Sequence, residues 1–264
     1  MKILILGAGN MGAWLAESFC LDHEVGIYDP DKSKLKYIFN SQRFLKYEEF
    51  EEFKPELVIN AVNLQHTVRV FEEVLPYLPS NCILSDIASV KNGLEKFYKE
   101  TGHRFVSTHP MFGPTFGNVK DLSGQNAVII EEGDEEGRKF FDEFFRSLKL
   151  RVFCYSFKLH DETIAYSLSI PFTSSIVFAS VMKDIEVPGT TFKKHLETSR
   201  GLLTEDKYLL SEILLNPYTL EQVEKICLKL NSLISLVKDR NTEGIHEYIS
   251  EIRQNVGVKG PRDS

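Results

Sequence analysis

KILILGAGNMG (residues 2–12) is the stretch that decides the fold. Its first five residues, rich in Ile and Leu, have the length and branching of a buried strand. Gly7-Ala8-Gly9-Asn10-Met11-Gly12 follows without a gap, and MGAWLAESF (11–19) continues as a helix. A GxGxxG string alone is common. Between a strand and a helix it has a mechanical meaning. Gly7 permits the tight turn, Gly9 lets the backbone approach a pyrophosphate, and Gly12 lets helix and strand pack closely. The helix start, at Asn10 and Met11, then offers unpaired N–H groups and a positive dipole end to phosphates. EVGIYD (24–29) reads as a second strand ending in Asp29, 17 residues beyond Gly12, where an acid binds ribose hydroxyls. A carboxylate there repels a 2′-phosphate, so the expected cofactor is NAD. Lys32 and Lys34 lie close by and leave room for weak NADP use.

Further along, LVINAV (57–62), CILSDIA (82–88), RFVSTH (104–109) and NAVII (126–130) read as strands, with helical segments between most of them. This alternation implies a mostly parallel sheet with helices on both faces and right-handed crossovers. From Leu159 onward no strand pattern remains. Helical stretches are expected at 159–183, 205–215, 217–238 and 242–254, with a kink at Pro171 and a loop at VPGTT (187–191). The expected architecture is therefore α/β: an N-terminal Rossmann-type doubly wound sheet over residues 1–155, then an all-α domain over 156–257. A polar tail, 258–264, is expected to stay outside the fold. The apolar faces of the helical half are broad, and a second copy of the chain is the natural cover. A homodimer is expected.

Composition narrows the function classes. The 264 residues carry a net charge of −7, which argues against a nucleic-acid partner. An anionic substrate would need locally placed cations. Cys20, Cys82, Cys154 and Cys227 are widely spaced and suggest neither a disulfide framework nor a thiolate metal site. No cluster has metal-ligand spacing, so no metal is expected. No apolar stretch reads as approaching the ~20 residues of a membrane span. A cytoplasmic protein with no membrane partner is expected.

Two segments look like more than structure. Asp86-Ile87-Ala88-Ser89-Val90-Lys91-Asn92-Gly93 leaves one strand end, and Thr108-His109-Pro110-Met111-Phe112-Gly113-Pro114 leaves another. Ligands in open α/β sheets bind outside the carboxyl ends of strands. The pieces GAGNMG, DIASVKNG and STHPMFGP, with LHDETIAYSLSIPF (159–172) and TSRGLLTEDKYLLSEILLNP (198–217), resemble the prephenate and arogenate dehydrogenases over nearly the whole chain. The resemblance implies NAD-dependent oxidative decarboxylation of prephenate to 4-hydroxyphenylpyruvate, a step toward tyrosine. His109 would then be the catalytic base. Ser89 would bond the histidine, the substrate hydroxyl or the nicotinamide. Lys91 would be a substrate-binding cation, and Arg200 would grip a carboxylate.

One position departs from that pattern. Many relatives place a second histidine near Pro171, where this chain has Ser169, a hydroxyl expected to bond the substrate without carrying charge. Lys193, Lys194 and His195 could compensate or form a solvated face. His160 reads as structural, bonding at the start of its helix. Arogenate is the alternative substrate. A pyrroline-5-carboxylate or imine reductase is the nearest other enzyme, since GAGNMG begins those chains too. A non-catalytic dinucleotide sensor is the reading from another class, and the presence of Ser89, Lys91, His109 and Arg200 speaks against it.

Overall fold

Alternate residues of the KILIL run face opposite sides of one sheet. The structure is a computed structural model that describes residues 1–112, 122–183 and 185–257. Among these, eight strands are β1 (Lys2–Leu6), β2 (Glu24–Tyr28), β3 (Gln42–Phe44), β4 (Leu57–Asn60), β5 (Ile83–Asp86), β6 (Phe105–Pro110), β7 (Asn126–Ile130) and β8 (Arg151–Tyr155). The helices with the sheet are α1 (Asn10–Phe19), α2 (Lys32–Leu35), α3 (Glu49–Phe53), α4 (Thr67–Val74), α5 (Leu94–Thr101) and α6 (Glu135–Ser147). Beyond it come α7 (Phe157–Ile164), α8 (Ile170–Val181), α9 (Thr190–Leu203), α10 (Lys207–Leu214), α11 (Thr219–Lys238) and α12 (Thr242–Asn255).

Ile3 and Ile5 pack with Leu15 and Phe19 of α1 and Phe141 and Phe145 of α6. Leu4 and Leu6 pack on the other face with Phe50, Phe71, Phe97 and Tyr98 from α3, α4 and α5. Both faces of β1 are thus covered, which is why its sequence is apolar without alternation. The strand order is β3-β2-β1-β4-β5-β6-β7-β8. Every pairing is parallel except β6 with β7. The order reverses direction between β1 and β4. That switch point opens a crevice at the strand ends, next to the glycine loop. The doubly wound fold expected from sequence is the one found.

Two strands escape the sequence reading. β3 has only three residues, and β8 is the other edge strand, half-exposed along its length. Helix α9 also goes unread, although its N-terminal Thr190 and Thr191 belong to the segment read as a loop. Helices α7, α8, α10, α11 and α12 overlap the expected stretches, with α7 starting earlier at Phe157 and α12 ending at Asn255, and the expected tail at 258–264 lies outside the described residues.

Helix α7, a π-helical turn (Ala165–Ser169) and α8 run on as one 25-residue helical segment, Phe157–Val181. This corrects the expectation about apolar stretches: by length and composition the segment could cross a membrane. Its own geometry points elsewhere at the N-terminal end. Phe157, His160, Ile164, Ala165 and Ser169 are buried. The wide turn falls just before Pro171, whose ring and missing N–H disturb the preceding helical turn.

Candidate functional site

The glycine loop has the shape its sequence implies. Gly7 has φ +98°, a conformation that favours glycine, and a Cβ there would lie 2.9 Å from the Ala61 carbonyl oxygen beyond β4. A Cβ on Gly12 would lie 1.9 Å from the Gly7 oxygen, so only glycine lets α1 sit this close to β1. Around Gly9 there is open space instead. Gly9 caps α1 without any side-chain hydrogen bond, so the N–H groups at Asn10 and Met11 face the crevice uncapped. Asp29 is buried behind this loop. Its Oδ2 accepts from the Ala8 N–H at 2.8 Å and its Oδ1 from the Asp31 N–H at 2.8 Å. Lys34 Nζ stands 3.5 Å from Oδ2. Open space at Gly9, an uncapped helix start and a strand-end acid fit the pyrophosphate and ribose of a dinucleotide.

The ends of β5 and β6 carry a buried polar network. Asp86, the last residue of β5, is fully buried; its Oδ1 accepts from Lys91 Nζ at 2.6 Å and its Oδ2 from the Tyr98 hydroxyl at 2.7 Å. Lys91 Nζ also donates to the Thr108 carbonyl oxygen at 2.7 Å. The Lys91 side chain is 0 % exposed. The cation expected from sequence to meet a substrate is here committed to Asp86 and the Thr108 carbonyl. The loop after β5 folds back, and the ammonium satisfies a carboxylate that would otherwise be an unpaired buried charge. Burial holds the Lys91 pKa down, opposed by Asp86, and pushes the Tyr98 hydroxyl well above its ordinary value.

His109 lies one residue along β6 from Thr108 and is buried. Its Nδ1 is 3.1 Å from Nε2 of His160 on α7, and His160 Nδ1 is 3.1 Å from Oδ1 of Asp161. Burial first, then His160, then the Lys91 cation hold the His109 pKa well below 6.5. Burial also lowers His160, partly opposed by its bond to Asp161. His109 is therefore a neutral imidazole at neutral pH, the state a proton acceptor needs. Its partner is His160 rather than Ser89, which is half-buried in the loop after β5. His160 is thus more than the helix-start residue expected from sequence. The missed signal is positional: Phe157, His160 and Ile164 share the buried face of α7, so the histidine lies in an apolar stripe.

The helical half closes over these strand ends. Helix α10 packs against a 3-10 turn (Leu64–His66) beyond β4. Asn92 donates to Glu212 of α10 at 3.2 Å, and Asn216 donates to the Asp161 carbonyl oxygen at 3.1 Å. Ser169 is turned into a helix junction. It is fully buried, with its Oγ 2.7 Å from the Thr219 hydroxyl and donating to the Ile213 carbonyl oxygen at 3.2 Å. The hydroxyl expected from sequence to bond a substrate is here satisfied by its own helix neighbours. Arg200 is exposed in the last turn of α9. Lys194 and His195 line a separate cleft between α8 and α9. Gly113 and Pro114 lie outside the described residues. Among the described residues no group of His, Cys, Asp and Glu could hold a metal.

The family model of the prephenate dehydrogenase nucleotide-binding domain matches residues 19–150. A probable arogenate/prephenate dehydrogenase of Methanocaldococcus jannaschii is 24% identical over 225 residues, covering 79% of this chain and 50% of that protein. The chain thus spans about half the length of that relative. Among solved structures, prephenate dehydrogenase from Aquifex aeolicus, in complex with hydroxyphenyl propionate and NAD+, superposes with a TM-score of 0.82 at 20% identity. That match covers 97% of this chain and 96% of the other. Synechocystis arogenate dehydrogenase gives 0.77 at 17% identity, covering 97% and 99%. At these identities the structural likenesses establish the fold.

Proposed function

The chain belongs to the prephenate dehydrogenase family, and from that premise we propose that it oxidises and decarboxylates prephenate to 4-hydroxyphenylpyruvate, using NAD. The observation that carries this reading is His109: a buried, neutral histidine at the end of β6, on the same edge of the sheet as the glycine loop. Gly7, Gly9, Asn10, Met11 and Gly12 would hold the pyrophosphate, and Asp29 the ribose hydroxyls. NAD, when bound, would supply the acceptor for the hydride leaving the substrate's hydroxyl-bearing ring carbon.

His109 accepts the proton of that hydroxyl as the carbon becomes a carbonyl. The bond to the ring carboxylate then breaks, CO₂ leaves, and its bonding electrons complete the aromatic ring. Ser89, half-buried in the loop after β5, is the second residue assigned to that hydroxyl. With Lys91 engaged inside the protein, the exposed Arg200 is the cation assigned to a substrate carboxylate, and a guanidinium fork suits that task. Arogenate differs from prephenate only in the side chain. The test of the reading is reduction of NAD with each substrate in turn.

The protein works as a two-fold dimer in this reading. Val177 and Val181 of α8, Leu228 and Val237 of α11 and Ile252 of α12 are exposed, more apolar surface than a lone helical layer carries comfortably. A second copy covers the apolar outer half of Phe157–Val181 without invoking a lipid phase. Light scattering at micromolar concentration should return twice the 30.2 kDa chain mass. A single-chain mass would contradict the dimer.

A further inference from the structure

His109, His160 and Asp161 are linked in series, and their hydrogen-bonding capacities leave one consistent arrangement of protons. A carboxylate only accepts, so the Asp161 Oδ1 contact at 3.1 Å requires a proton on His160 Nδ1. In a neutral imidazole the other nitrogen then carries a lone pair. His160 Nε2 is therefore an acceptor, and the atom 3.1 Å from it, His109 Nδ1, must donate. That places the His109 lone pair on Nε2. The opposite tautomer of His160 would set a lone pair against the carboxylate and lose that bond whatever His109 did, and it would set an N–H against His109, a contact kept only if His109 also switched. Burial supports the neutral state of both rings, since His160 has 1 % of its surface exposed and His109 7 %.

We propose that Asp161 and His160 are positioning residues for His109: together they fix its tautomer, so that Nε2 is the atom that accepts the substrate proton. This rests on the reading of His109 as the base. It also assigns work to the charge distribution. When His109 takes a proton it becomes a buried cation near Lys91, which opposes it. His160 keeps accepting from Nδ1–H, and the Asp161 carboxylate at the far end offsets the new charge. The base is thus held neutral before the reaction and supported during it. The Asp161 side chain is partly exposed, so it can be truncated without opening the core, and its backbone is held separately by Asn216.

The test uses the whole chain and two kinds of readout. Nitrogen-15 spectra of the histidine rings in the protein without substrate should show His109 protonated on Nδ1 and His160 likewise on Nδ1. In Asp161→Ala the His160 signals should move toward a mixture of tautomers, and those of His109 with them. The same variant should lose ~10–10²-fold in kcat, with KM and NAD affinity within about twofold, because orientation of a general base is what is lost. His160→Gln, whose amide oxygen can still accept from Nδ1–H, should retain more activity than His160→Ala. Full turnover in His109→Asn would overturn the reading of the base itself. Loss of turnover in His109→Asn, with unmoved ring signals and wild-type kcat in both Asp161→Ala and His160→Ala, would overturn this proposal alone.

Discussion

His109→Asn should lower kcat by ~10²–10⁴-fold while leaving NAD affinity close to that of the wild type. Asparagine keeps a donor and an acceptor in similar positions, so the bond to His160 can persist and the strand-end packing changes little. It cannot take a proton near neutral pH. The wild-type rate should also have its acid limb below pH 6.5, because burial, His160 and Lys91 all hold His109 below its ordinary value. Protonation of the base then begins only at lower pH. Measuring kcat and kcat/KM from pH 5 to 9 in both proteins checks this. Near-normal turnover in the variant, or a wild-type acid limb above pH 7, would sink the assignment.

Lys91→Met should destabilise the fold by about 3–5 kcal/mol, the usual cost of leaving one partner of a buried ion pair behind. Methionine fills similar volume, so little of the loss comes from a cavity. The cost arises at Asp86, which keeps the Tyr98 hydroxyl and the Ala88 N–H but loses its cation, and at the Thr108 carbonyl, which loses a donor. Adding Asp86→Asn should recover part of the loss, since no bare charge then remains buried. Urea unfolding of the single and double variants reads the difference as midpoint shifts at constant slope. A single-variant loss under about 1 kcal/mol would mean that Lys91 is hydrated and available to substrate after all.

These two expectations mark where the sequence was legible and where it was not. The turn from β1 into α1 was readable because Gly7 and Gly12 stand where no other residue fits, and that constraint is local. Strand ends were readable from the same local signals: Asp29, Asp86 and His109 stand at or beside the ends of β2, β5 and β6. The direction of a side chain after such an end is not local. Lys91 lies five residues beyond Asp86, and only the fold-back of the loop shows that the two meet. Ser169 was read as a substrate ligand because it stands where many relatives have a histidine, yet in the π-helical turn it bonds Thr219 and the Ile213 carbonyl. His160 was visible in principle, as a histidine in an apolar stripe. Its significance required the second ring, 51 residues earlier, to be brought to it. The short edge strands β3 and β8 carry too few residues, or too exposed a pattern, to stand out from loop.

Oxidation of the substrate by NAD is read out as reduced nicotinamide. Purified protein is offered prephenate and arogenate side by side, each with NAD and with NADP. NADH should form with prephenate, accompanied by 4-hydroxyphenylpyruvate and CO₂, and the signal with NADP should be weaker because Asp29 repels a 2′-phosphate. Turnover of arogenate alone would contradict the assignment of substrate, and no reduced nicotinamide with either substrate would contradict the account as a whole.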